Sequence, residues 1–399
     1  MIRPYEKKTY YALTLDPIHV GTGGYRLGRV DNTITREPGT NLPKIPGTSI
    51  SGVVRAYTAI AIQDGISVKI NSDFTINYED YKKCKYLRPA YQFIMENDDV
   101  KIANGKAWIK VDNNKNPFFE GDNPLEEKYY SCAGKGIDEG EGHCGEPDCP
   151  VCVAYGFSKG KSGSSFQGLA QFFDIRILFF PVYSMLGPVW ITSPSILNDF
   201  KEAAKEQSNI SITLNLKLYE SSEKIQTELV DTGKSLNLGW ILLENKEKSS
   251  VLMGTIPNIN SEILKRLVLV QDNLFTRIVN DNLEVRTSVA IDPATGAAEE
   301  GALYTYEAIP RSTVMWFDVI FNKPEYFRIK VPKSESGIEE KQIIHGKTED
   351  QGWTWIRENV EKGLLLTEYM GVGGMNTRGM GRMRILNLER NESGEGGAK

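Results

Sequence analysis

Histidine is scarce in this chain: three in 399 residues, at positions 19, 143 and 345. With no HExxH and no nucleophile elbow, that scarcity excludes the common metalloprotease and hydrolase constellations. Cysteine is also sparse and odd in number, five in all, with three inside residues 143–152. This excludes a disulfide framework and points to a reducing compartment and a metal. No apolar run reaches the ~18 residues of a membrane span. The longest, ILFFPVYSML at 177–186, suits a buried strand. No basic leader with an apolar segment opens the chain, so it is expected to be cytoplasmic and free of membrane. No solenoid period recurs. Net positive charge is missing too: the formal value is −5, which taken alone argues against nucleic acid.

Distribution matters more than the sum. Residues 26–55 carry Arg26, Arg29, Arg36, Lys44 and Arg55 against Asp31 and Glu37, and residues 376–386 carry Arg378, Arg382 and Arg384 with no acid. These two islands form one stripe if the ends of the chain meet. With 40% hydrophobic and 25% charged residues, the chain can bury a sizeable core. Alternation predicts strands at 9–20, 169–184, 210–220 and 313–321, two strand pieces joined by a loop at 288–310, and a last strand at 383–388. Helical spacing predicts helices at 49–62, 196–207, 260–271 and 349–370. Residues 65–130 are polar, without a sustained period, and read as an insertion. The pattern is α+β with an antiparallel sheet.

Three motifs carry chemistry. GVGGMNTRGMGR (371–382) follows a helix and enters a strand, the reverse of a dinucleotide loop. Its glycines allow close backbone approach to a phosphate chain, beside Arg378 and Arg382. A second glycine loop, 21–24, precedes the 49–62 helix, whose unpaired N–H groups and Arg55 offer an anion site. Asp31, in an arginine-rich loop, suits a divalent cation near a phosphate or a plain ion pair with Arg29 or Arg36. In HCGEPDCPVC (143–152), Cys149-x2-Cys152 is half a zinc knuckle, and Cys144 is a third ligand. The fourth is His143 or Cys132, and four protein ligands make a structural zinc. Cys84, isolated in sequence, takes no part.

Taken together, HVGTG, GRVD, TRE and LPKIPGTSISGVVR resemble the N-terminal signature of the RAMP superfamily, especially the backbone subunits of type III CRISPR–Cas (Cmr and Csm) effector complexes. YGF with GLAQFFDIRILFFPVYSMLGPVWITSP (155–194), AIDPATGAAEEGALYTYEAIP (290–310) and GVGGMNTRGMGRMRI (371–385) are similar to the family's later blocks, in order. The cysteine cluster is similar to that of the zinc-bearing Csm form, so both subtypes stay open. The resemblance implies a ferredoxin-like, RNA-recognition-motif-like core with a β-hairpin thumb, in one RAMP-type domain over 1–389. Within it lie an insertion with the zinc motif at about 65–153 and a thumb or insertion region at about 215–300; a disordered tail follows at 390–399. It implies a subunit that binds CRISPR RNA among other effector subunits and copies of itself. It also implies cleavage of target RNA at Asp31 with Mg2+ or another divalent cation. RNA contacts fall on His19, Gly21, Gly23, Gly24, Thr48, Ser49, Arg55, Gly373, Gly374 and Arg378. Ser51 stands where the family usually carries a lysine. Alternatives are a catalytically silent scaffold and a stand-alone guide-processing endonuclease with His19 as general base.

Overall fold

The structure, a computed structural model, describes residues 3–23, 30–64, 75–77, 100–103, 106–110, 132–134, 143–147, 149–158, 164–216, 224–299, 303–332, 337–343 and 352–388. Gly24, Arg29, Cys84, most of the 65–153 insertion and the 390–399 tail lie outside them. In chain order the elements that matter here are β1 (Tyr5–Thr14), α1 (Gly47–Asp64), α2 (Pro150–Tyr155), β2 (Ile175–Ser184), β3 (Gly187–Thr192), α3 (Pro194–Ala204), β4 (Lys224–Gln226), β5 (Ser235–Leu238), β6 (Ile241–Glu247), β7 (Leu267–Leu269), α4 (Asp272–Asp281), β8 (Glu284–Ser288), β9 (Tyr304–Ala308), β10 (Val314–Asn322), α5 (Gly352–Met370) and β11 (Met383–Ile385). The chain divides into two compact units, each assembled from separated segments.

The second unit (6–53, 171–320 and 364–399) is built on an eleven-stranded sheet whose main path runs β5-β6-β4-β7-β3-β2-β10-β1-β11. The expected antiparallel sheet is instead mixed. β2 and β3 form an antiparallel hairpin, but β3 runs parallel to β7, and β4 parallel to β6. The helix expected at 260–271 breaks for the same reason. It ends at Lys265, and the apolar Leu267, Val268 and Leu269 leave it to pair with Trp190, Ile191 and Thr192. Sheet burial outweighs helical propensity over so short a run. Charged residues 224–247, which show no clear period, supply three more strands. One face of the sheet is covered by α3, where Leu197 and Phe200 bury against Tyr11, Phe179 and Trp316. Each such side chain contributes ~1.5–3 kcal/mol on burial. The two strand pieces around 288–310 form the hairpin β8–β9, with Ser288 opposite Tyr304 and Glu284 opposite Ala308. The first piece starts earlier than its alternation suggests.

The first unit (1–5, 54–170 and 321–363) carries the rest. Within the patternless 65–130 stretch, Thr75–Asn77, Val100–Ala103 and Lys106–Lys110 form a small antiparallel sheet. Here the later part of α1 meets the earlier part of α5: Thr58 Oγ1 donates to the Asn359 carbonyl at 3.3 Å. The approach is so close that a Cβ on Gly363 would stand 2.3 Å from Thr58 Oγ1 and 2.6 Å from the Val54 carbonyl oxygen. Because one of those atoms is backbone, Gly363→Ala is expected to cost ~1–3 kcal/mol by overpacking. Thermal unfolding should show the loss; an unchanged midpoint would contradict so tight a crossing.

Candidate nucleic-acid interface and metal centre

Strand β9 organises the polar surface of the second unit. Asn32 donates its N–H to the Thr305 carbonyl at 3.0 Å, and the Glu307 N–H donates to the Asn32 carbonyl at 3.0 Å. This lays the Asp31 loop along the strand. The Asp31 Oδ2 then accepts from the Thr305 N–H at 2.7 Å and from Thr305 Oγ1 at 2.8 Å, while the Asp31 N–H donates to that same hydroxyl at 3.1 Å. The backbone bond and then the hydroxyl hold the exposed Asp31 carboxyl below the ordinary range, because both favour the charged form. The ion-pair alternative with Arg36 is corrected. Arg36 donates instead to Glu307 Oε2 at 2.8 Å and to Asn280 Oδ1 at 2.9 Å.

His19 meets the same edge of the strand, next to the Asp31 loop. Its Nδ1 lies 2.6 Å from the Glu307 carbonyl oxygen, and its ring meets Tyr306 edge-on at 5.8 Å. A carbonyl only accepts, so Nδ1 carries the proton and Nε2 is left as the variable nitrogen. Gly21 lies beside it: a Cβ there would come 3.1 Å from Nε2. Gly23, in the same loop, has φ +79°. The C-terminal glycine loop meets this histidine directly, since the Gly374 N–H donates to the His19 carbonyl at 2.9 Å. Gly373 combines φ +86° with a Cβ position 2.4 Å from the His19 carbonyl oxygen, so only glycine fits. Arg378 closes the platform, donating to the Tyr304 hydroxyl at 2.6 Å.

The two basic islands therefore do meet, but four of the six cations they have among the described residues are paired with acids. Lys44 pairs with Asp174, Arg36 with Glu307, Arg382 with Asp16 and Arg384 with Glu368. Arg378 is exposed and bonds to the Tyr304 phenol, not to a carboxylate. The helix start offered to an anion is also occupied, because Asp174 Oδ1 accepts from the Gly47 N–H at 2.8 Å. Thr48 and Ser49 belong to that first turn. A cleft of about 230 Å³ lies elsewhere in this unit, lined by Leu42, Lys44, Arg176, Phe275 and Trp316 among others. None of Asp31, His19 or Arg378 lines it.

In the first unit, four buried cysteines converge: Cys132, Cys144, Cys149 and Cys152, with sulfurs all within 4.8 Å of one another. Three of the sulfur pairs are 3.5, 3.6 and 3.9 Å apart. A tetrahedral zinc with ~2.3 Å Zn–S bonds needs edges of about 3.8 Å, so the set fits. Hydrogen bonds among the four sulfurs, those with Cys132 first, together with burial push the Cys149 and Cys152 thiols up. His143 is not in the set. Its Nδ1 lies 3.0 Å from Arg55 Nη2, and Arg55 Nε donates to the Cys132 carbonyl at 2.7 Å. Arg55 thus turns to the cysteine centre.

Sequence reasoning missed Thr305, Tyr304, Tyr306 and Glu307. The block 290–310 was the one signal pointing at them. Among the described residues, no helix is long and apolar enough to cross a membrane. The chain belongs to the RAMP superfamily, which matches residues 11–384. It is 22% identical over 396 residues, 97% of each chain, to the CRISPR system Cmr endoribonuclease Cmr4 of Pyrococcus furiosus. A chain in the cryo-EM structure of type III-B Cmr-beta in the apo state shares the fold, with TM-score 0.50, 14% identity, and 96% of this chain and 97% of that one covered.

The Asp31–Thr305 lock has a direct check. Thr305→Val keeps the β-branched shape and removes the hydroxyl. The Asp31 carboxyl should then titrate closer to the ordinary ~3.9 in an NMR titration. An unmoved titration would show that the hydroxyl does not hold it.

Proposed function

We propose that this chain is a guide-RNA-binding backbone subunit of a type III CRISPR effector that cleaves target RNA at Asp31. The observation that carries this reading is the exposed Asp31 carboxylate, fixed on the strand where the two glycine loops join. The endoribonuclease name of the Pyrococcus furiosus relative and the shared Cmr-beta fold support it. The chain path β1–α1–β2–β10–α5–β11, with sheet order β2-β10-β1-β11, supports a ferredoxin-like core, and β8–β9 is our candidate for the thumb. CRISPR RNA, target RNA, other effector subunits and further copies of the chain are the partners this implies, with work in the cytoplasm.

The glycine loops give close backbone access, and Arg378 adds a phosphate-seeking charge. His19 acts mainly as a junction, because burial to 7% exposure and the Glu307 bond leave it little freedom as a general base. A divalent cation, when bound, supplies charge stabilisation at the scissile phosphate. Asp31 fits such a cation. Both Thr305 bonds fall on Oδ2, and Oδ1 has no hydrogen-bond partner among the described residues. A single carboxylate suits Mg2+, which keeps several waters. Asp31 has two tasks: to stay ionised and to hold its oxygen in one place.

Because Thr305 lowers the Asp31 carboxyl, ionisation is complete above about pH 5. Cleavage by the assembled complex should therefore show no acid limb from Asp31 between about pH 5 and 7. Asp31→Asn keeps the shape and removes the charge. It should abolish target cleavage while leaving guide binding intact, and a chelator should do the same to the wild type. Full, metal-independent cleavage by the variant would refute the assignment; a complete complex that never cuts would establish a silent scaffold.

We assign a structural zinc to Cys132, Cys144, Cys149 and Cys152. Elemental analysis should find about one zinc per chain. Substitution of Cys84 should leave that content unchanged. A content well below one would refute the site.

A further inference from the structure

Arg55 lies on α1 four residues beyond Ser51, at a position that spacing alone offers to a phosphate. Its guanidinium is engaged otherwise. Nε donates to the backbone carbonyl of Cys132 at 2.7 Å, and Nη2 reaches His143 Nδ1 at 3.0 Å. The first partner belongs to one of the four clustered cysteines, and the second precedes another, Cys144. A guanidinium only donates, so His143 Nδ1 must be the acceptor, with its lone pair aimed at Arg55. His143 is 6% exposed and tilted against Phe157 at 6.0 Å, so it has little room to turn. Four thiolates around one zinc carry a net charge of about −2, which burial makes costly unless a cation stands near. Arg55 supplies a permanent one and ties two points of the knuckle to a helix.

We infer that Arg55 is a positioning residue of the cysteine metal centre: it braces the Cys132 backbone and diverts His143, which selects Cys132 as the fourth ligand. This rests on the zinc assignment above. Groups that orient metal ligands in this way typically govern about 10–100-fold in metal affinity.

The test uses the full chain as wild type, Arg55→Ala and Arg55→Lys, each measured for zinc content and for zinc release to a chelator. Cobalt(II) replacement adds an absorption spectrum that separates four sulfurs from three sulfurs and one nitrogen. The wild type should hold about one zinc and give a four-sulfur spectrum. Arg55→Ala should release zinc about 10–100-fold faster, with a spectrum shifted toward nitrogen ligation as His143 is freed. Adding His143→Ala should restore the four-sulfur spectrum. Arg55→Lys keeps the charge but not the fork, and should fall between the two. If Arg55→Ala does not fold, Arg55→Lys carries the same readouts. Wild-type release and spectrum in the variants would overturn the inference, all the more if RNA affinity and its salt dependence fell instead. A wild type without metal would overturn the zinc assignment itself.

Discussion

Strand β9 is the constraint on which the candidate site depends. Four successive residues hold its pieces: Tyr304 takes Arg378, Thr305 takes Asp31, Tyr306 meets the His19 ring, and Glu307 binds His19 by its carbonyl and Arg36 by its carboxylate. A strand does this well because its side chains alternate faces while its backbone groups remain free to pair at the edge. The Arg36–Glu307 pair is largely buried, with side chains 17% and 14% exposed. Removing either partner would leave the other charge poorly solvated, so the pair acts mainly by making wrong arrangements costly.

The physical character of the surface follows from that strand. Segments nearly three hundred residues apart meet at it, and the glycine loops meet backbone to backbone at His19 and Gly374. Where acids answer most of the arginines, a broad electrostatic footprint shrinks to a few places, of which Arg378 is the clearest. A locked carboxylate among close-approach glycines then positions more than it attracts. The four-cysteine cluster, in the other unit, is a separate device: as the metal site proposed above, it would tie the Cys132 and Cys144 segments to the buried turn of helix at Pro150–Tyr155.

Much of this was legible in sequence. The helical spacing of Ile50, Val54 and Tyr57 marked α1, and all three are buried. The apolar alternation of 313–321 marked β10, and the glycine loops marked close approach. What escaped notice lacked a local signal. Thr305 is an ordinary residue in an alternating strand, and its bond to Asp31 spans 274 positions. Asp174 caps α1 from 127 residues away, which no helix-start rule could register. Leu267–Leu269 continued a helical period and became a strand only because a parallel neighbour was available. Ligand spacing left Cys132 and His143 equal, and the difference lies in Arg55, which counts toward phosphate contacts when read by charge alone.

The central claim is that β9 presents Asp31 to a target strand while the glycine loops hold a guide. Cryo-EM of the chain assembled on guide RNA with a non-cleavable target would test it most directly. The account predicts Asp31 beside a target-strand phosphate, still bonded to Thr305, with Gly373, Gly374 and Arg378 along the guide backbone. A target phosphate path that leaves Asp31 against protein or open solvent would contradict it.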